Sequence, residues 1–362
     1  MTERETGTQG MGQHRLGPRA AGQYGIGPQE ADTQGLGSQE PGRQEPGPQD
    51  PAGAATVWPP RRVPVGALIT YLLVAFGASW LVALPLWLSP QHLASPWAQP
   101  LLMVLMYTPT LAVLLVAVLL RTPGRPWLRA LGLSHVGSAG RFIGRLAIAF
   151  AIPTLLVIAA VCLAATIGWL HLDLVHFSGL REVMQAKLEA VGAPASTLDQ
   201  LPPMPVLAVS QLLSIPVGAL INSLLTLGEE IGWRGWLLPA LRPLGVWPAL
   251  LISGVIWGAW HTPIILLGYN FGRTDLSGVL FMIGGCVVWG VVLGAMRLRT
   301  GLLWPSVLAH GTLNAAGGLY LLFGTAGEQA DPALVGPLGV AAWIVVAVFV
   351  TIVALATRRR VP

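Results

Sequence analysis

Six side chains in this sequence pair acid–base or hydrogen-bonding chemistry with surroundings that should exclude it. Glu229, Glu230 and Arg234 close one long apolar run, His261 ends a second, and His310 with Asn314 lies within a third. A carboxylate or imidazole at bilayer depth is costly and is rarely kept without a partner or a task. Three separate segments each bring such a group, a distribution that predicts one shared polar cavity. The chemistry such a set supports is hydrolytic. A carboxylate can accept a proton from water while a histidine orients that water or shares the proton. A second histidine and an asparagine amide can donate to a developing oxyanion. Glu229, His261 and His310 would equally suit Zn²⁺, which binds imidazole nitrogen and carboxylate oxygen and acidifies bound water. The cofactor expectation is therefore either none or zinc. HExxH, the usual zinc helix, is absent.

Helical spacing defines how these groups must be presented. Residues advance 100° each, so positions i and i+4 share a face. Glu230 and Arg234 can therefore pair, leaving Glu229 a further 100° around and free of that ion pair. Asn222 and Thr226 extend a polar stripe toward Glu229. Ser253, Trp257 and His261 repeat the four-residue spacing, and Pro263 should free backbone carbonyls near His261. Ser306, His310 and Asn314 repeat it again. Singly, each motif has a plainer explanation: a structural ion pair at Glu230–Arg234, a satisfied interior histidine at His261, inter-helical glue at His310 and Asn314. Jointly they are hard to assign to packing.

The elements that carry them are membrane spans. The chain has 362 residues, 53% hydrophobic and only 10% charged, with a mean hydropathy of +0.64. Soluble domains carry about 25% charged residues, so soluble readings are set aside. The fold expected is all-α: a polytopic helical bundle with about eight transmembrane helices, near 65–88, 98–120, 143–169, 205–228, 247–268, 277–296, 302–323 and 334–356. Residues 1–60, rich in Gly, Pro and Gln, form an expected disordered cytoplasmic tail, and residues 61–362 the helical domain. No signal-peptide h-region follows Met1. A pI of 9.8 does not indicate nucleic-acid binding, because the basic residues are spread through loops.

The arginines orient the bundle. Arg61 and Arg62, then Arg121, Arg125, Arg129 and Arg141, then Arg234 and Arg242, Arg297 and Arg299, and Arg358 to Arg360 fall at alternate helix ends. The intervening loops hold only Arg181, Lys187 and Arg273. By the positive-inside rule both termini are expected in the cytoplasm of a multi-pass cell-membrane protein. The longest loop, about 170–204, should carry a short surface helix over 181–191, and its His171 and His176 are expected to be incidental. Cys162 and Cys286 are expected as buried packing residues. The tryptophans are expected to be mostly interface anchors, with Trp257 the exception.

At these residues the sequence resembles the CAAX protease and bacteriocin-processing (CPBP, or Abi) family of intramembrane proteases. Its pattern of E-E-x-x-x-R, F-x-x-x-H and H-x-x-x-N or H-x-x-x-D stands here as Glu229-Glu230-Ile-Gly-Trp-Arg234, Trp257-Gly-Ala-Trp-His261 and His310-Gly-Thr-Leu-Asn314. The resemblance covers about 205–325, where it implies the catalytic core. It implies Glu229 as the catalytic carboxylate, completed by His261, His310 and Asn314, with Glu230, Arg234 and Trp257 in supporting places. Trp257 replaces the usual Phe and bears on substrate fit. The function expected is an intramembrane endopeptidase, of the metalloprotease class if zinc is present. Its partners would be the bilayer and a peptide or lipidated-protein substrate, with CaaX-type C-terminal processing in view. Two other classes compete. A proton-coupled secondary transporter would show inverted repeats, and none is visible. A non-catalytic immunity or scaffold protein would have lost the motif residues, and all are present.

Overall fold

The structure is a computed structural model that describes residues 58–134, 137–328 and 330–358. The expected disordered tail lies outside the described residues, as do Arg359 and Arg360. Eight apolar helical segments occur at the expected places: α1 (Val65–Leu88), α2 (Ala98–Leu119, broken at Met106–Tyr107), α3 (Ala139–Thr166), and, after a loop helix α4 (Ser178–Ala190), α5 (Met204–Glu230), α6 (Val246–Trp260), α7 (Leu276–Thr300), α8 (Trp304–Ala316) and α9 (Val340–Arg358). Among the described residues there is no strand, only an isolated bridge between Leu172 and Gly324. Large apolar side chains such as Leu73, Leu81 and Leu213 stand about 70% exposed. That outer surface suits hydrocarbon and not water.

Six helical stretches are long and apolar enough to cross a bilayer, whereas α6 has 15 residues and α8 has 13. At about 1.5 Å per residue these two reach only ~20 Å, short of the ~30 Å hydrocarbon core. Sequence explains both breaks. Pro263 lacks an N–H, so α6 stops at Trp260 and a single turn over Thr262–Ile265 continues it. Gly317 and Gly318 end α8 before a further turn, Leu319–Phe323. The short α8 lies in the interior against α5 and α3, whereas α6 packs on α7 and leaves Leu251, Ile252 and Val255 exposed on its other face.

Small residues permit this packing. A Cβ on Gly228 would lie 2.7 Å from the Met106 carbonyl oxygen, and one on Gly258 would lie 2.4 Å from the Ile283 Cα. The first glycine brings α2 against the carboxylate-bearing end of α5, and the second brings α7 against the turn before His261. Thr110 then reaches the Gly228 carbonyl at 2.6 Å, and Tyr107 donates to that of Leu224.

The two ends of the bundle differ in charge. One gathers Arg61, Arg62, the 120–145 arginines, Arg242, Arg297, Arg299 and Arg358, and its described residues include no carboxylate. Backbone and indole bonds knit it, among them Leu303 N–H to Gly132 at 2.8 Å and Trp304 Nε1 to Leu133 at 3.1 Å. The other end carries Asp173, Glu182, Glu189, Asp199, Asp275, Glu328 and Asp331, and Arg273 meets Asp331 there at 2.6 Å. At this end α4 begins three residues before the expected position. The Ser178 hydroxyl and the His176, Ser178 and Val175 backbone N–H groups hold the Asp173 carboxyl well below the usual carboxylate range and fix the loop ahead of α4.

Two expectations need correction. Cys286 is buried, but Cys162 is exposed on α3. Of the tryptophans, four besides Trp257 are buried, Trp233, Trp236, Trp260 and Trp289, and do not belong to an interface belt. Burial is tolerated because most of these indoles find an acceptor: Trp236 on Thr122 at 2.9 Å, Trp260 on Thr108 at 3.1 Å and Trp289 on Pro337 at 2.7 Å.

Candidate active site

The helix carrying Glu229 and Glu230 does not stop after them. It widens into a π-helical turn, Ile231–Leu237, before a last α-turn, Leu238–Leu241, and such turns frequently mark functional sites. Arg234 Nη1 donates to Glu230 Oε1 at 2.7 Å, with both side chains at most 2% exposed. This is the pairing that the spacing predicts. A third partner joins them from α8: His310 Nδ1 lies 3.0 Å from the same Oε1. Glu230 Oε2 has no hydrogen-bond partner among the described residues.

Glu229 points elsewhere. Its Oε2 accepts the Trp257 indole N–H at 2.6 Å, and no bond is formed to Arg234. The guanidinium instead lies over the Trp257 ring, 4.2 Å from its centroid, a cation–π stack. The same ring is 5.1 Å from that of His310 and 6.0 Å from that of His261. Trp257 is thus the hub that joins α5, α6 and α8. The family resemblance implies a supporting place for Trp257, and the bond to Glu229 uses an N–H that the family's phenylalanine does not possess.

His261 is held by the helix break beside it. Its backbone N–H bonds to Gly258, three residues back, which leaves the Trp257 carbonyl for His261 Nδ1 at 2.9 Å. The carbonyl only accepts, so Nδ1 carries the proton and a neutral ring offers Nε2 as an acceptor. The two further carbonyls released ahead of Pro263 are taken by hydroxyls, Ala259 by Thr262 at 2.6 Å and Trp260 by Ser79 at 3.3 Å.

Glu229, Trp257, His261, His310, Asn314 and Asn222 line one cavity of about 410 Å³. Asn314 is exposed to that space, whereas Glu229, His261 and His310 are each under 10% exposed. Three members of the expected polar faces are not in it. Thr226 donates to Val307 at 3.1 Å, Ser253 to Leu250 at 3.0 Å and Ser306 to Leu293 at 2.9 Å. A hydroxyl close to a helix carbonyl can bond to it, and a shared helical face does not prevent it. Sequence reading missed Gln99, Tyr269, Asn270 and Tyr320, which line the outer part of the cavity. They come from helix ends and connections, where no periodicity marks them. His171 and His176 are far from this site in role: the His171 ring pairs with Glu328 at 2.6 Å.

Glu229, His261 and His310 each keep one atom uncommitted, as a metal would require. Even so, among the described residues no group of three or more His, Cys, Asp or Glu side chains converges to hold a metal ion.

Fold and site together define a multi-pass helical membrane protein with an acid–histidine–amide cluster in its interior. Residues 208–316 match the family model described as "Type II CAAX prenyl endopeptidase Rce1-like", in keeping with the CAAX protease family that its motifs resemble. The match takes in all seven motif residues, from Glu229 to Asn314. No curated protein matches the chain.

Proposed function

We propose that this protein is an intramembrane endopeptidase that hydrolyses a peptide bond of a membrane-associated substrate with water activated by Glu229. The observation that carries the reading is the unequal treatment of two adjacent carboxylates. Glu230 is closed off by Arg234 and His310, while Glu229 is oriented by one N–H and faces a cavity. Water bound there can hydrogen-bond to His261 Nε2 and pass a proton to Glu229 as it attacks the carbonyl carbon. The oxyanion that forms meets the Asn314 amide and His310. His310 donates from Nε2 when both ring nitrogens carry protons, with Glu230 accepting from Nδ1, a support like that of an acid behind a catalytic histidine. Collapse of the tetrahedral intermediate expels the amine, which takes its proton from Glu229.

The substrate class that suits the cavity is a peptide held at the bilayer by a lipid or an apolar segment, since Leu102, Met103, Met106 and Leu225 line its side. The protein would act in the cell membrane with both termini in the cytoplasm, as the arginine distribution favours.

The test is cleavage of bilayer-tethered peptides by purified protein in H₂¹⁸O. One ¹⁸O atom should appear in the new carboxylate, and none with Glu229→Gln. Activity that vanishes with a chelator and returns with Zn²⁺ would transfer water activation to a metal.

A further inference from the structure

We infer that the candidate peptidase site is reached from the non-cytoplasmic side of the membrane, so that its substrate is a peptide segment exposed at the outer leaflet. The inference deepens the proposed peptidase reading and rests on it for the word substrate. Its basis is which end of the bundle the cavity opens on. Beyond the motif residues, the lining comes from the start of α2 (Gln99, Met103), the connection into α7 (Asn270), the turn after α8 (Tyr320) and the segment before α9 (Pro332). All lie toward the acidic end. No residue of the arginine-bearing connections lines it.

Toward the arginine-rich end the interior is shut. Trp233, Trp236, Leu237, Leu238 and Leu303 are each 0% exposed there, and Tyr71 stacks on Trp236 with ring centroids 4.6 Å apart. A peptide arriving from the arginine side would have to displace that aromatic plug. One arriving from the acidic side meets an open cavity. Because arginines mark the cytoplasmic side, a lipidated C-terminus presented in the cytoplasm faces the wrong end.

Labelling of single cysteines in intact cells tests this without requiring catalysis. In a Cys162→Ala, Cys286→Ala background, Gln99→Cys and Leu321→Cys mark the mouth, and Ala139→Cys marks the arginine end. All three positions are exposed. A membrane-impermeant maleimide should modify the first two from outside and the third only after permeabilisation. The opposite pattern, or either mouth position staying unlabelled until permeabilisation, overturns the inference. Failure of the peptidase reading is separate: it would appear as no cleavage of any tethered peptide, with the labelling pattern unchanged.

A different cavity carries an independent assignment. We propose that the groove at the arginine-rich end binds an anionic phospholipid. It has a volume of about 600 Å³ and is rimmed by Arg145, Arg242 and Arg299, with Ile152, Val291 and Phe349 among its apolar walls. No carboxylate lines it, and among the described residues these arginines form no ion pair. A phosphate held by guanidinium groups above an acyl chain lying along aliphatic walls matches both parts.

Thermal unfolding in detergent reads the binding. Phosphatidylglycerol should raise the midpoint saturably, and phosphatidylcholine and inorganic phosphate should not. The triple variant Arg145→Gln, Arg242→Gln, Arg299→Gln should lose that increment. If it does not fold, Arg299→Gln alone should weaken the apparent affinity about fivefold. An equal response to phosphatidylcholine, full reproduction by phosphate, or an undiminished increment in the variants overturns the assignment.

Discussion

Toward the arginine-rich end, Glu230 is fully buried, with Arg234 and His310 both committed to one of its oxygens. One residue earlier and toward the acidic end, Glu229 accepts a single indole N–H and faces open space. The sealed region is built of stacked tryptophans and tyrosine, the open region of helix ends, methionines and amides. The contrast shows how a membrane protein can keep two carboxylates side by side. A rotation of 100° between neighbours sends one into a neutralising ion pair and the other into a cavity that can hold water. The pair anchors the histidine that helps serve the cavity.

Disrupting the sealed side should produce the largest effect. Arg234→Ala leaves Glu230 buried without its cation, and stability should fall by about 3–5 kcal/mol. Unfolding midpoints in detergent would show it; a midpoint equal to wild type would contradict the pairing. On the open side, Asn314→Ala should lower kcat by about 10²–10³ with KM unchanged, as expected for loss of an oxyanion donor. A rise in KM at constant kcat would reassign Asn314 to substrate binding. At the junction, Trp257→Phe keeps the ring and removes the N–H. A hydrogen bond to a charged group contributes about 1.5–3 kcal/mol to stability, so the unfolding midpoint should fall by a matching amount, and kcat should drop as Glu229 loses its orientation while KM stays near wild type. An unchanged kcat would show that Glu229 does not need the indole to be placed. The smallest changes belong to Ser253→Ala and Ser306→Ala. Their hydroxyls satisfy nearby carbonyls, so each should shift stability by about 1 kcal/mol or less and leave the rate alone. A tenfold rate loss from either would return that serine to the site.

Much of this division is readable along the chain. The pairs Glu230–Arg234, Trp257–His261 and His310–Asn314 each sit at i, i+4 on a helix, and the eight apolar segments fall where hydropathy puts them. What could not be read depends on partners distant in sequence. The His310 bond to Glu230 joins residues eighty apart. The serines and Thr226 share the right helical faces but bond to carbonyls next to them or on a neighbouring helix. Nor does periodicity distinguish an interfacial tryptophan from one buried with its indole satisfied, as Trp236 and Trp289 are. The mouth of the cavity, with Gln99, Asn270 and Tyr320, follows from how connections converge at one end.

The most direct measurement compares Glu229→Gln with Glu230→Gln in one preparation of purified protein, reading both cleavage of a bilayer-tethered peptide and the unfolding midpoint. Glu229→Gln should lose activity by about 10²–10⁴-fold, the range for removing a general base, and unfold near the wild-type midpoint. Glu230→Gln should unfold at a clearly lower temperature, because Arg234 is left without its counter-ion. Wild-type turnover in Glu229→Gln, or equal midpoints for the two variants, would contradict the division between an open catalytic carboxylate and a sealed structural one.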